Sequence, residues 1–391
     1  MSIENLPALD APNFCPELWQ RVFVLQSNKT FCIKPCCWAS PDEDVVVDDG
    51  TKIFETYNQS SFVQQLRQDN IEGKLGPVCQ QCVHNESLSG ISGRTYAIDR
   101  LTQMGRGTVP IKLSTQVDLN LGNLCNLACA ICDPHSSTNW APVYKKMHGE
   151  PHNSPRYKTV NRPVINDPEW FKNIELLQLQ GGEVFLQSAY TEFFRNLKQH
   201  SRLSRVSVRI FTNGTVLPDP EFFELLSACK SVSIYFSIDD IGSRFEYQRY
   251  GAEWNKVVEN LNWFKDNCDS TFELGIHPTY SLLNIYYLSE LYEFCSTNFP
   301  RFERKIGPYN ISTGSLSAHT LPTNIKQAVI DKLIKTPELA YLTQAIVADD
   351  SYDATPAIEY ITKYNNAIGL NYAESHPEFW DLLTKSTHIM G

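Results

Sequence analysis

The placement of cysteine constrains this chain more than any other feature. Of its twelve cysteines, nine fall before residue 133 in tight groups, and only Cys229, Cys268 and Cys295 come later. A thiol-rich chain of 391 residues with no sign of secretion uses such groups more often for metal than for disulfides. The three late cysteines each stand in an apolar helical pattern and are read as core residues, because a free cysteine packs as a small hydrophobe. The tightest group is Cys125-Asn-Leu-Ala-Cys129-Ala-Ile-Cys132. Three thiolates at that spacing can take three corners of a [4Fe–4S] cube and leave the fourth iron open, as a cluster must if it is to bind a substrate. Zinc is the alternative, with His135 as a fourth ligand, although structural zinc sites favour CxxC pairs.

A second group comprises Cys15, Cys32, Cys36, Cys37 and the pair Cys79-Gln-Gln-Cys82. A CxxC pair with distant partners suits zinc or an iron–sulfur cluster equally. Neighbouring residues of a strand point to opposite sides, so Cys36 and Cys37 are not expected to bind the same group.

From about residue 111 strand-like and helix-like segments alternate. Gln116 to Leu121, Ile174 to Gln180, Arg205 to Phe211, Ser231 to Ile238 and Thr271 to Tyr280 read as strands, with a weaker one near Lys305 to Ile311. Between them Trp254, Val257, Val258 and Leu261 share one helical face, Pro218 and Pro220 lead into a helix, and Tyr286 to Phe299 forms another, closed by Pro300. Such alternation predicts a parallel α/β sheet. The first hundred residues differ, with short strands around Val22 to Leu25 and Thr30 to Ile33 joined by a Ser-Asn turn. The last 75 or so return to helical patterning. Net charge is −10, which weighs against DNA or bulk RNA as the partner. No apolar run is long enough to span a membrane, and the N-terminus lacks a secretory pattern, so a cytoplasmic location is expected.

The cysteine loop after an apolar strand resembles the signature of the radical S-adenosylmethionine (SAM) superfamily. Further matches follow in order. Ile131 takes the position of the hydrophobic residue near the adenine. Gly181-Gly182-Glu183 resembles the element that holds the methionyl amino group, with Val184 where proline is usual. Thr212-Asn213-Gly214 resembles a turn common in these enzymes. Ser237-Ile-Asp239 resembles the element facing the SAM ribose and carboxylate, and Arg249-Tyr-Gly251 with Trp254 and Val257 completes the pattern. Singly, a Gly-Gly or an Asn-Gly is more often just a turn. Each of these, however, falls at the carboxyl end of an expected strand, where parallel α/β folds bind ligands. The N-terminal cysteines resemble an auxiliary-cluster "twitch" domain, a shortened SPASM relative placed before the core. Its pattern is matched by Phe14-Cys15, Pro35-Cys36-Cys37, the Cys79–Cys82 pair, Glu86, Ser92-Gly-Arg94, Ser136-Ser137 and Trp140.

The resemblance implies a partial (β/α)6 TIM-like barrel over residues 106–315, an N-terminal cysteine-rich α+β cluster domain over 1–105 and a helical extension over 316–391. It implies a SAM-binding [4Fe–4S] cluster on Cys125, Cys129 and Cys132. A second cluster is expected on Cys15, Cys36, Cys79 and Cys82, with Cys37 next in line, Cys32 last and zinc as the alternative. The activity implied is reductive SAM cleavage to a 5′-deoxyadenosyl radical and hydrogen abstraction from a peptide or small metabolite. An external flavodoxin- or ferredoxin-type protein would supply the electron. A non-catalytic electron carrier and a tRNA-modifying enzyme are the competing classes. No acid–base catalyst is identifiable: His277 and Tyr280 suit packing or adenine contact as well as catalysis. The C-terminal extension would cap the barrel mouth or receive a partner, and its residues do not choose between these.

Overall fold

The structure, a computed structural model, describes residues 6–26, 30–39, 44–90, 92–103, 113–152, 164–304, 314–347 and 354–387. The chain forms two compact units, each assembled from separate segments. One comprises Met1–Gly122, Lys158–Ile210 and Asp219–Val232, and the other Asn123–Tyr157, Phe211–Pro218 and Ser233–Gly391.

In the first unit the strands are β1 (Arg21–Gln26), β2 (Phe31–Lys34), β3 (Val45–Val47), β4 (Gln116–Asn120), β5 (Leu176–Gln180) and β6 (Ser207–Thr212), in the spatial order β3-β2-β1-β4-β5-β6. The β1–β2 and β2–β3 pairs are antiparallel, while β1–β4, β4–β5 and β5–β6 are parallel. The expected N-terminal hairpin is present, and its Ser-Asn turn lies outside the described residues. One property was not anticipated: β1 pairs with β4 in register from Arg21–Gln116 to Leu25–Asn120, so the cysteine-rich segment extends the core sheet.

The strands present two unlike faces. Val117, Leu119, Leu177, Leu179, Val208 and Ile210 are at most 2% exposed, and burying each such side chain is worth about 1.5–3 kcal/mol. The opposite face carries Gln116, Asp118, Asn120, Gln178, Gln180 and Arg209, with Asp118 beside Gln178 and Gln178 beside Arg209 in register. Its groups are bonded to one another. Arg21 pairs with Asp118 at 2.7 Å and with Glu17, Arg100 reaches Glu17 and Gln116, and Arg209 donates to Gln178 at 3.3 Å. Helix Ser188–His200 crosses from β5 to β6 and buries Tyr190, Phe193, Phe194 and Leu197. Helix Pro220–Ser227 starts as its prolines foretell, with Asp219 capping the N–H groups of Glu221 and Phe222.

In the second unit β7 (Ser231–Phe236), β8 (Phe272–Ile276) and β9 (Glu303–Arg304) follow in that order, with β8 and β9 parallel. Strands β6 and β7 each run from one unit into the other. The weak strand expected at Lys305 to Ile311 lies outside the described residues. Helix Trp254–Asn267 buries Val257 and Leu261 as the spacing requires. The C-terminal segment is helical, with its longest described helix at Thr355–Ile368. Cys229, Cys268 and Cys295 are buried, as expected of core cysteines. The α/β, parallel-stranded class anticipated from the sequence is the one found. Among the described residues no helix is long and apolar enough to cross a membrane.

Tyr190 ties the carboxyl ends of β4 and β5 together. Its hydroxyl lies 2.6 Å from the Gln180 carbonyl and 3.1 Å from that of Leu119, and it accepts the Leu121 N–H at 3.2 Å. Tyr190→Phe should cost about 1–3 kcal/mol, because buried backbone groups lose their partner. A urea titration followed by tryptophan fluorescence would show it as a lower midpoint at unchanged slope, and an unchanged midpoint would contradict the role.

Candidate metal and cofactor site

The loop that follows β4 belongs to the second unit and has no regular secondary structure across its three cysteines. Two of its backbone donors are spent on the segment after Gln248. Ala128 N–H donates to the Tyr250 carbonyl at 2.9 Å and Ala130 N–H to that of Gln248 at 2.7 Å. Gly251 makes this approach possible, since a Cβ there would stand 3.2 Å from the Asn126 carbonyl and its φ is +99°. The three thiols sense one another's charge. Burial first, with Cys125 and Asp239 adding, pushes Cys129 up to about 12, and Arg249 opposes the shift. Burial and then Cys129 push Cys132 higher still.

Asn213 and Arg249 meet this loop. The Asn213 amide donates to Asn126 Oδ1 at 3.1 Å and lies 3.9 Å from Cys125 Sγ, while Asn126 donates to Thr215 Oγ1 at 2.8 Å. Thr212, beside Asn213, is buried and accepts the Gly214 N–H at 3.2 Å. Arg249 pairs with Asp239 at 2.8 Å and places another nitrogen 3.8 Å from Cys129 Sγ. Its Nε is buried with no hydrogen-bond partner among the described residues. Asp239 also accepts the Thr279 N–H at 2.8 Å and is 1% exposed. Burial raises its pKa, against the pull of Arg249. Ser237 and Ile131 are half-buried. His135 packs edge-on against His152, with ring centres 4.7 Å apart. His277 packs against Phe211 and Tyr235, and Tyr280 is fully buried.

Gly181, Gly182 and Glu183 belong to the first unit, at the carboxyl end of β5. Gly181 has φ +98°, and a Cβ there would lie 2.2 Å from Asn120 Oδ1 and 2.7 Å from the Gly122 carbonyl, so no other residue fits. Glu183 is completely buried, and its carboxylate caps the turn after it by accepting the Phe185 N–H at 3.1 Å.

The N-terminal thiols also lie in the first unit. Cys15, Cys36, Cys79 and Cys82 line one small enclosed cavity with Arg94 and Trp38. The CxxC spacing works because Cys79 precedes helix Gln80–Ser89, so that Cys82 falls one turn on. Asn70 holds Cys15 in place: its Oδ1 accepts from Cys15 N–H at 3.4 Å and Trp19 Nε1 at 3.2 Å, and its amide donates to the Asn13 carbonyl. Glu86, Ser92 and Arg94 form one bonded set, in which Arg94 grips Glu86 twice and reaches the Phe14 carbonyl. Gly93 is required because a Cβ there would stand 2.7 Å from the Trp38 ring. Burial raises Cys15 and Cys36 well above the ordinary thiol range and Cys79 to about 11. Cys37 is exposed, does not line this cavity, and is within hydrogen-bonding reach of Asp118. Cys32 stands in the β2 ladder opposite Leu25 and Val46. Among the described residues no three His, Cys, Asp or Glu side chains converge to hold a single metal ion. A cube takes its thiolates at separate corners instead.

Strand β4 of the parallel α/β sheet leads into the three-thiol loop. Residues 119–285 match the family model of the Radical SAM superfamily. Comparison with curated proteins gives no match. Among solved structures the chain resembles native anSMEcpe with bound AdoMet, at 17% identity over 57% of this chain and 60% of that one, with a TM-score of 0.37. It therefore spans 60% of that protein's length. It also resembles Streptococcus suis SuiB bound to S-adenosylmethionine, at 11% identity over 83% and 68% of the two chains, with a TM-score of 0.34. For SuiB bound to precursor peptide SuiA the identity is 13% over 83% and 70%, with a TM-score of 0.35. The matched family implies a [4Fe–4S] cluster and SAM, and within the second unit the three-cysteine loop and the buried, unpartnered Arg249 Nε are features that fit such groups.

Sequence reasoning missed Asn70, Asn126 and Asn120, polar residues whose partners are distant in the chain. For the Arg249–Asp239 pair, Arg249→Met or Asp239→Asn alone leaves a buried charge uncompensated, at a cost of about 3–5 kcal/mol. The double variant should lose less than the sum of the two. A denaturant double-mutant cycle would read a coupling above about 0.5 kcal/mol, and additivity within that margin would refute the pair.

Proposed function

We propose that the chain is a SAM-dependent radical enzyme acting on a peptide or small polar metabolite, with a second cluster in its N-terminal segment. The observation that carries this reading is the loop of Cys125, Cys129 and Cys132, whose thiols interact and are flanked by Asn213 and Arg249. When bound, the cluster and SAM supply a 5′-deoxyadenosyl radical able to take hydrogen from an unactivated carbon. The protein's contribution is position and charge. The three thiolates would hold three irons, and the Arg249 cation would offset the negative charge beside Cys129. In the first unit Gly181, Gly182 and Glu183 would take the role that the resemblance gives them, with Glu183 supplying the carboxylate for an amino group. Ile131, Thr212 and Ser237 complete the cofactor surface, and Asp239 serves it by holding Arg249.

On the polar sheet face the Gln180 amide nitrogen has no partner among the described residues, which supports a substrate with a hydrogen-bond acceptor, as a peptide has. In the N-terminal segment Cys15, Cys36, Cys79 and Cys82 would hold the second cluster, with the Arg94 cation balancing its charge. Four protein ligands leave no iron open to substrate, which suits an electron acceptor and a net oxidation. The electron for SAM cleavage would come from a flavodoxin- or ferredoxin-type donor. Residues 1–105, 106–315 and 316–391 would act as cluster module, radical core and extension, in a reducing cytoplasm where free thiols persist.

Anaerobic iron and sulfide analysis with Mössbauer spectroscopy tests this. The wild type should hold about eight irons, and Cys125/Cys129/Cys132→Ala about four. Cys37→Ala should keep about eight, while Cys79→Ala with Cys82→Ala should fall to about four. Zinc in place of the second set of irons would remove the redox role of the N-terminal segment. No iron after reconstitution would overturn the whole proposal.

A further inference from the structure

The loop from Cys125 to Ala130 has six consecutive carbonyls, and each accepts a hydrogen bond from a side chain. Four donors come from the short run Ser137-Thr138-Asn139-Trp140. Thr138 Oγ1 reaches Cys125 O at 3.2 Å, Asn139 Nδ2 reaches Asn126 O at 2.7 Å, Ser137 Oγ reaches Leu127 O at 2.5 Å and Trp140 Nε1 reaches Cys129 O at 2.8 Å. The other two come from the C-terminal helix Thr355–Ile368, more than two hundred residues away. Tyr364 donates to Ala128 O at 2.7 Å and Tyr360 to Ala130 O at 2.6 Å. The two tyrosines stand one helical turn apart on one face, and Tyr364 stacks on Trp140 with ring centres 5.8 Å apart.

The helix is anchored independently of these two hydroxyls. Lys146 donates to the Ala367 carbonyl at 2.9 Å, Tyr247 donates to Asn365 Oδ1 at 2.7 Å, and Asn365 also accepts the Tyr372 N–H. Seated through Lys146, Tyr247 and Asn365, the helix delivers its two phenols to fixed points. The Tyr372 hydroxyl is no part of that seating, since it donates to the Leu283 carbonyl at 2.9 Å.

We propose that Tyr360 and Tyr364 of the C-terminal extension are positioning residues for the cluster loop. They hold the carbonyls on either side of Cys129 and aim two donor dipoles at the loop that carries the SAM-site thiols. The physical consequence is twofold. The amides of Ala128 and Ala130 stay locked to Tyr250 and Gln248, because their own carbonyls are held from the other side. The positive ends of the phenolic dipoles also favour the more reduced, more negative state of a cluster on those thiols. The extension is thus part of the cofactor site. The first consequence concerns the polypeptide alone, and only the second rests on the radical SAM reading.

Tyr360→Phe/Tyr364→Phe removes two hydroxyls and leaves both rings in place. In the metal-free full-length protein, amide hydrogen exchange at Ala128 and Ala130 should quicken about tenfold, as expected from losing two hydrogen bonds of ordinary strength. In the reconstituted protein, iron content should match wild type. The EPR-monitored ratio of reduced to oxidised cluster at a fixed potential should fall about tenfold, equivalent to a midpoint about 59 mV more negative for one electron. Tyr372→Phe, on the same extension but bonded elsewhere, is the control and should change neither readout. Wild-type exchange in the double variant would overturn the positioning role whether or not a cluster binds. Equal changes in the Tyr372→Phe control would reduce it to general destabilisation, and an unshifted midpoint would remove the electrostatic part. Wild-type protein that takes up no iron would instead defeat the cofactor reading, while the exchange result would still decide the first consequence.

Discussion

An irregular loop that gives up its side chains to a cofactor must find partners for its own backbone elsewhere. A buried peptide group left without a hydrogen bond costs about as much as one strong interaction gains, so such a loop is stable only if its surroundings are built for it. Much of the second unit can be understood from that requirement. The Gln248–Tyr250 segment takes two N–H groups, Gly251 permits its close approach, and the Ser137–Trp140 run returns to cap four carbonyls. The helix Thr355–Ile368 completes the set. Arg249 then has one fixed environment, bridging Asp239 and Cys129.

The N-terminal thiols answer a similar demand by different means. A helix start presents Cys79 and Cys82, Cys36 lies in the turn after β2, and Cys15 is fastened through Asn70 to a buried tryptophan. The set Glu86, Ser92 and Arg94 ties two helices to the Phe14 carbonyl beside Cys15. Cys37 shows how finely this works, since one residue beyond Cys36 the chain has turned and the thiol meets Asp118.

What could be seen in the sequence was local. The three-thiol spacing, the strand alternation, the prolines before Pro220–Ser227 and the glycines at strand ends each express a constraint within a few residues. The ordered motifs made the superfamily legible. What could not be seen was contact between distant segments. Val22 and Val24 alternate as Val117 and Leu119 do, but no pattern in either segment says that β1 lies alongside β4. Helical patterning was legible around Tyr360 and Tyr364, but their carbonyl partners are more than two hundred residues away. Strand alternation is expected to separate Cys36 from Cys37, but β2 ends at Lys34 and both lie in the turn after it, so only the folded positions separate Cys36 from Cys37 and Cys32.

The unlike faces of β4, β5 and β6 carry a consequence for how such a protein can diversify. Because side chains alternate along a strand, replacing Gln178 or Arg209 does not alter the packing of Leu177, Leu179, Val208 or Ile210 behind them. One surface of the sheet is under the close tolerance of a hydrophobic interior, and the other is free to vary in charge and hydrogen-bonding character. New chemical preferences can therefore be explored by single substitutions on an unchanged scaffold. The exceptions lie on β4: Asp118 and Gln116 are tied to Arg21, Gln116 also to Arg100, and Asn120 accepts the Gly122 N–H.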